Sequence, residues 1–348
     1  MSQPLCQDRG EFLQVYFTSG QFALYHYFWL RHNCPCCVHP TTRERILCPA
    51  EVPLAIRPRR IDSEGGSICI DWDDGHQSVF AVDWLAGHQY AADQTIAPIE
   101  AGDPGLIQVQ YDDCAGALVR VCQDYLQQRG AILVRACQLD TEELIDQFTQ
   151  GGYRVRETHF GRIEDLRTDN TTNDNTDQLG YTNAAVELHT DQPFIEEPPR
   201  LQILYCMRRA TSGGESLLAD ALQAAHYLRD LDRHAFAVLT ETPVLFDRRQ
   251  KEFSSQTSFP ILTFAEGQFV QIRSSYFTLA PQALPFDQME QWYRAYQKFT
   301  RLIEQPEHQF NFALEPRDFI LYDNYRMLHG RRAFSGPRWM RGIYLDEE

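Results

Sequence analysis

No stretch of this 348-residue sequence approaches the ~20 consecutive apolar residues that a membrane-crossing helix needs. Its first residues, Met1-Ser2-Gln3-Pro4-Leu5-Cys6-Gln7-Asp8, are polar and lack the apolar core of a secretory signal. A surplus of cations is missing as well. The chain has 32 Lys and Arg against 48 Asp and Glu, a formal net charge of −16. Phosphate backbones and anionic lipid surfaces attract the opposite balance, so neither nucleic acid nor a membrane is expected as a partner. The 10 cysteines do not form the framework of a small disulfide scaffold. Three cluster at Cys34, Cys36 and Cys37, and most others sit in apolar stretches, which predicts reduced thiols and a cytoplasmic protein. No internal repeat is visible. What is there suffices for a full core: 43% hydrophobic and 23% charged residues, in a length suited to one large and one small domain.

Residues 10–90 read as β-rich. Segments 12–17 and 22–30 flank Ser19-Gly20, and segments 67–72 and 78–84 flank Asp74-Gly75; both sets predict hairpins. Residues 91–107, with Pro98, Gly102, Pro104 and Gly105, are the expected linker. They divide the chain into a small N-terminal domain, 1–95, and a larger one, 96–348. In the larger part, 114–128 and 141–150 have helical spacing and 131–136 reads as a short buried strand. An almost purely polar run, 167–178, reads as a lid or as a tolerated insertion. Beyond it strands are expected at 201–207, 216–218, 236–242, 269–273, 319–322 and 340–345, with helices at 221–232 and 287–303. Many strands with few flanking helices predict a mainly β fold, with a double-stranded β-helix (jelly-roll) as the large domain.

Val186-Glu187-Leu188-His189 reads as a strand entering His189-Thr190-Asp191. Residues i and i+2 of a strand project from one face, so an imidazole and a carboxylate point into one cavity. A second histidine follows in Leu328-His329-Gly330-Arg331. Two His and one carboxylate on one face of a metal leave three positions open, the facial arrangement of non-haem Fe(II) oxygenases. Such a tripeptide is weak alone in a chain with 11 His. Its weight comes from Arg338, a fixed cation able to clamp a carboxylate, and from Ser216, a hydroxyl that follows Gly213-Gly214-Glu215. Tyr322-Asp323-Asn324 supplies groups able to support the ligands from behind. A second dense cluster, His32-Asn33-Cys34-Pro35-Cys36-Cys37-Val38-His39, carries thiols and imidazoles at a spacing that suits tetrahedral zinc.

The block Asp323-Asn324-Tyr325-Arg326-Met327-Leu328-His329-Gly330-Arg331-Arg332-Ala333-Phe334-Ser335-Gly336-Pro337-Arg338 resembles the C-terminal part of γ-butyrobetaine and trimethyllysine dioxygenases, which are taurine-dioxygenase-like 2-oxoglutarate oxygenases. Tyr181-Thr182 and Gly213-Gly214 fit the same pattern, and the resemblance runs from about residue 28 to 344. It implies Fe(II) held by His189, Asp191 and His329, with 2-oxoglutarate paired to Arg338 and hydrogen-bonded by Ser216. O2 is then the other substrate, and an unactivated C–H bond of a small cationic or zwitterionic, amino-acid-like amine is hydroxylated. Desaturation or cyclisation by the same oxidant is an alternative; so is a non-catalytic metal-binding scaffold, against which the intact triad and Arg338 argue. The resemblance also implies a homodimer and a structural zinc in the N-terminal domain. Cys34 and Cys36 match the first two zinc ligands and His76 the last; the third is His39 by spacing, or the adjacent Cys37. At the substrate end, Tyr181, Tyr344 and Phe160 match positions of an aromatic cage for a trimethylammonium group. Glu164 falls where a tryptophan is usual, which favours a less methylated amine or a guanidinium. Gln178 and Ser275 fall at positions of substrate-carboxylate contacts.

Overall fold

The computed structural model describes residues 6–8, 10, 12–17, 22–90, 106–114, 116–168 and 178–348. The expected turn at Ser19-Gly20, most of the expected linker (91–105) and most of the polar run (169–177) lie outside them. The chain is mainly β with few helices. A major sheet runs in the order Glu164–Arg167, Trp339–Glu347, Leu201–Arg208, Phe319–Asp323, Ala131–Arg135, Ile107–Gln110, with Tyr153–Val155 also pairing Trp339–Glu347. All its pairings are antiparallel except that of the last two strands in the row. A second sheet runs Val186–His189, Met327–Arg331, Ser216–Asp220, Gln309–Phe312.

Strand alternation explains the layering. Ala131, Leu133, Cys206, Ile320 and Met340 of the major sheet pack against Leu218, Met327, Phe310 and Phe312 of the second, forming the seam between the sheets. The alternate residues Ile132, Val134, Ile203, Leu321 and Ile343 turn outward onto helices Leu118–Arg129 and Thr141–Gln150. Apolar residues thus occupy both faces, and these strands read as continuous hydrophobic runs. Thr141–Gln150 starts where its chemistry dictates. Asp140 accepts hydrogen bonds from the Glu142 and Glu143 N–H groups, and Glu143 reaches back to the Asp140 N–H.

The outer face of the second sheet, with Leu188, Leu217, Ala219 and Leu328, meets helices Ala221–Leu231, Arg233–Glu241 and Phe286–Ile303. The N-terminal part packs into this same core: Leu13, Trp29, Ile70 and Phe80 join Trp292 and Phe299. It holds two three-stranded sheets, Cys6–Asp8, Phe12–Tyr16, Phe22–His26 and Pro58–Glu64, Ser67–Trp72, Gln77–Ala81. The Asp74-Gly75 hairpin is present, with Gly75 at φ +85°. The expected strands 22–30 and 78–84 are shorter, because Tyr27–His32 and Val82–Ala86 are helical.

One expectation is overturned. Residues 236–242 do not form a strand; 236–241 fall in helix Arg233–Glu241 and Thr242 caps its end. Phe-Ala-Val-Leu-Thr suits a strand by local propensity. Two things decide otherwise: Asp232 caps the helix by accepting from the Ala235 N–H at 2.9 Å, and Phe236 and Leu239 bury against the core around Phe286–Ile303. No helix of the described residues is long and apolar enough to cross a membrane.

Candidate active site

Val186–His189 and Met327–Arg331 pair so that His189 faces His329 directly. The two strands lie close because Gly330 has no side chain: a Cβ there would meet the Val186 carbonyl oxygen at 2.8 Å. The imidazoles sit 4.2 Å apart, centroid to centroid. Asp191, two residues beyond the strand, places Oδ1 3.5 Å from His189 Nε2 and 3.7 Å from His329 Nε2. The three donor atoms fall within 4.8 Å of one another. Next to Asp191 the backbone is strained: Gln192, which lines the same cavity, sits at φ 54°.

The donor set fits a divalent cation. His189 Nδ1 lies 2.8 Å from the Glu187 carbonyl, which can only accept, so Nδ1 carries the proton and Nε2 keeps its lone pair. Burial, and then the neighbouring His189, push His329 down to about 3, so it is a neutral imidazole at physiological pH. Burial opposes the charge on Asp191, yet His329, His189 and the Tyr344 hydroxyl together hold it well below the usual carboxylate range.

Neighbours hold each ligand in place. Asn324 Oδ1 accepts from the Asp191 N–H at 2.8 Å, and its Nδ2 donates to the Asp191 carbonyl at 3.0 Å. Tyr344 donates to Asp191 Oδ2 at 2.7 Å. Tyr322 lies against His329, and Phe277 meets His189 edge-on. Asn324 and Tyr322 lie in the segment read as support, whereas Asp323 instead accepts from the Tyr325 N–H.

The triad opens on a cavity with about 870 Å³ of empty space, open solvent at its mouth included. Arg338 and Ser216 line it together with the triad. Burial lowers Arg338 to about 10, which leaves the guanidinium charged at neutral pH. Gly214 approaches it closely: an added Cβ would stand 3.6 Å from Arg338 Cδ. Phe160, Glu164, Gln178 and Tyr344 also line the cavity. Tyr181 stands behind the wall, its hydroxyl donating to Glu164 Oε1 at 2.8 Å. Ser275 does not reach the cavity; it is buried with an unpaired Oγ, while Phe277, two residues on, does line it.

Two further wall residues carry no local sequence signal. Glu44, from the N-terminal part, is buried and bonded to Arg248 Nη1 at 2.5 Å, and it also accepts from the Leu179 N–H. Burial pushes Glu44 up to about 7 against the pull of Arg248.

A second cluster forms where the cysteine-rich turn meets the Asp74-Gly75 hairpin. Cys34 Sγ lies 3.1 Å from Cys36 Sγ and 3.2 Å from His76 Nε2; Cys36 and Cys37 lie 3.4 and 3.6 Å from the same nitrogen. These four atoms fit a tetrahedral soft-ligand site. Arg31 donates to Cys37 Sγ and pairs with Asp74, placing a cation beside the thiols. His39 is not part of the cluster. The small hairpin after Cys37 turns it away, and its Nδ1 accepts from the Thr42 N–H at 3.2 Å. Cys37 takes the third place.

Residues 94–344 match the family model described as taurine catabolism dioxygenase TauD, TfdA family, and residues 6–86 match gamma-butyrobetaine hydroxylase-like, N-terminal. The gamma-butyrobetaine dioxygenase of Pseudomonas sp. (strain AK-1) is 32% identical, over 97% of this chain and 91% of that protein. Dioxygenase str8 of Strobilurus tenacellus is 28% identical, over 92% and 82%. The mitochondrial trimethyllysine dioxygenase of Homo sapiens is 27% identical, over 93% and 80%. Among solved structures, an asparagine oxygenase in complex with Fe(II), 2S,3S-3-hydroxyasparagine and succinate shares the fold with a TM-score of 0.52 at 15% identity, covering 66% of this chain and 78% of that one. AAD-2 in complex with Mn(II) and N-oxalylglycine does so with a TM-score of 0.51 at 14% identity, covering 72% and 98%.

Proposed function

As a member of the TauD/TfdA family, this chain is a 2-oxoglutarate-dependent non-haem iron dioxygenase, and we propose that it hydroxylates an unactivated C–H bond of a small cationic or zwitterionic amine. The observation that carries the reading is the convergence of His189 Nε2, Asp191 Oδ1 and His329 Nε2 in the cavity that Arg338 and Ser216 also line. Fe(II), 2-oxoglutarate and O2 together supply the oxidant when bound. The chain's own residues position the parts. Arg338 takes the distal carboxylate of the cosubstrate by charge-assisted hydrogen bonds, with Ser216 adding one more. Asn324 and Tyr344 fix the Asp191 carboxylate. The apolar walls at Phe160, Leu166 and Phe194 keep water from the reacting bond. Phe160, Glu164, Gln178 and Tyr344 form the substrate end, with Tyr181 behind them.

In the same reading the large domain, 96–348, is a double-stranded β-helix, supported by two facing sheets, and 1–95 is a small domain. Cys34, Cys36, Cys37 and His76 hold a structural zinc, supported by the mutual distances of their donor atoms. The chain works as a cytoplasmic homodimer. The test is release of succinate from 2-oxoglutarate by protein supplied with Fe(II) and ascorbate, in the presence of a panel of amines, with the amine product weighed. Gain of one oxygen atom is expected; loss of two hydrogens instead would replace hydroxylation by desaturation or cyclisation. No succinate above background with any amine would return the chain to the class of metal-binding scaffolds.

A further inference from the structure

Three carboxylates and three guanidinium groups line the catalytic cavity: Glu44, Glu164 and Asp191, with Arg248, Arg331 and Arg338. Glu44 is bonded to Arg248. Asp191 belongs to the triad, and Arg338 faces the cosubstrate side. Arg331 is held by the carbonyls of Gly180, Thr182 and Ala184 at 3.1, 2.9 and 2.6 Å. Glu164 is what remains. Among the described residues no Arg, Lys or His makes an ion pair with it, although it is only 4% exposed.

Its surroundings are those of a receptor rather than of a packed core. Oε1 accepts from Tyr181 Oη at 2.8 Å and from Gln178 Nε2 at 2.5 Å, two neutral donors that fix the carboxylate. Oε2 accepts nothing from the described residues. Opposite lies Gly342, the strand partner of Glu164. A Cβ there would stand 3.8 Å from Glu164 Oε2 and 3.7 Å from Gln202 Nε2, so the missing side chain leaves space beside the open oxygen. Tyr344, two residues along the same strand face, carries the hydroxyl that holds Asp191, so this space adjoins the triad. A buried carboxylate with no ion-pair partner is destabilising until it takes up a proton or meets a cation. Burial, and then Asp191, push Glu164 up to about 8, against the weaker pull of its Tyr181 and Gln178 hydrogen bonds and of the Arg248 charge.

We propose that Glu164 receives the cationic nitrogen of the substrate, and that this nitrogen carries at least one hydrogen: a primary, secondary or tertiary ammonium, or a guanidinium. The proposal rests on the dioxygenase reading of the cavity. An open carboxylate oxygen gains most from a donor pointed at it, a charge-assisted N–H···O bond. A quaternary nitrogen has no hydrogen to donate, and its methyl groups hold the charge away; ring faces suit it better. Glu164 is therefore the specificity-determining residue at the end of the cavity away from Arg338.

The test uses three probes that differ only in methylation: 4-aminobutyrate, 4-(dimethylamino)butyrate and 4-(trimethylammonio)butyrate. Their binding to the full chain loaded with Mn(II) and 2-oxoglutarate is measured by calorimetry, for the native protein and for Glu164→Gln. Either N–H-bearing probe is expected to bind at least about tenfold tighter than the quaternary one, and the substitution should remove most of that preference. A quaternary probe that binds as well as the others overturns the proposal. So does a preference that survives in Glu164→Gln, or binding of none of the three. Amine-independent release of succinate by the Fe(II)-loaded protein is followed alongside. Its absence in the native protein counts against the dioxygenase reading and not against Glu164 alone.

Discussion

The His189–Asp191–His329 cluster and the Cys34–Cys36–Cys37–His76 cluster each gather their donor atoms within 4.8 Å, and they are built in opposite ways. The first takes three hard and borderline donors from the end of one strand and the middle of its neighbour, in a cavity. The second takes four donors, three of them sulfur, from a turn and a hairpin tip, with Cys36 exposed. Three donors leave coordination positions for reacting molecules; four close the shell. Supports differ in kind as well. Asp191 is clamped through both backbone and side chain by Asn324 and Tyr344. The thiols lean on one another, on His76 and on Arg31. A site that must keep a vacancy needs rigidity from its neighbours, whereas a closed site supplies its own once filled.

The sharpest break is His189→Ala. Succinate release should fall to background while the thermal unfolding midpoint moves by a few degrees at most; retained turnover would remove His189 from the iron site. Next in size, Cys34→Ser should abolish the proposed zinc binding, as read by elemental analysis of the purified protein beside the native one. It should destabilise the chain by several kcal/mol, the scale on which metal binding couples to folding. Per folded molecule the iron chemistry should persist. Unchanged zinc content would end the comparison.

The seam between the two regions can be titrated. His26 stacks on Phe28 and on Phe286 of the long helix, 4.8 and 4.1 Å between centroids. Burial pushes it down to about 4, against the pull of Glu290 and Asp287. A depressed histidine is protonated more readily in the unfolded chain, so its contribution is complete above an ordinary value of about 6.5 and is lost as the pH falls towards 4. The loss is about 3 kcal/mol at most. His26→Phe should lessen the fall of the urea midpoint across that window; an unaltered slope would place the acid sensitivity elsewhere. The smallest change is Tyr344→Phe, which removes one hydrogen bond to Asp191. Iron affinity should weaken by about 10- to 100-fold in a metal titration, with the zinc cluster untouched. No change would mean that Asn324 alone orients the carboxylate.

The iron end was legible in sequence because its logic is local. His189 and Asp191 stand two apart at a strand end, and His329 and Arg338 fall within one short block. Leu201–Arg208 and Phe319–Asp323 announced themselves as apolar runs because both their faces are covered. Helix Arg233–Glu241 did not, since its composition suits a strand and only its cap and packing decide. His39 had the right spacing for a ligand, but spacing says nothing about the turn that points it at Thr42. Tyr344 was read as a ring for the substrate; it lines the cavity, and nothing in the sequence signalled that its hydroxyl would also donate to Asp191. Glu44 and Arg248 were invisible: they are 204 residues apart and meet through tertiary packing alone.

That last pair bears on how the chain is divided. Glu44 sits on the short hairpin that follows Cys37, where its carbonyl accepts from the His39 N–H, and its carboxylate closes one wall of the iron cavity. Cutting the chain at the expected linker would therefore deliver no miniature of the enzyme. It would take the Glu44 carboxylate away from Arg248, leave the Leu179 N–H without that acceptor, and breach the cavity on one side. The smaller part is a piece of the active-site enclosure, contributed from a distance, and any engineered exchange of N-terminal regions among relatives would exchange a wall of the reaction chamber with it.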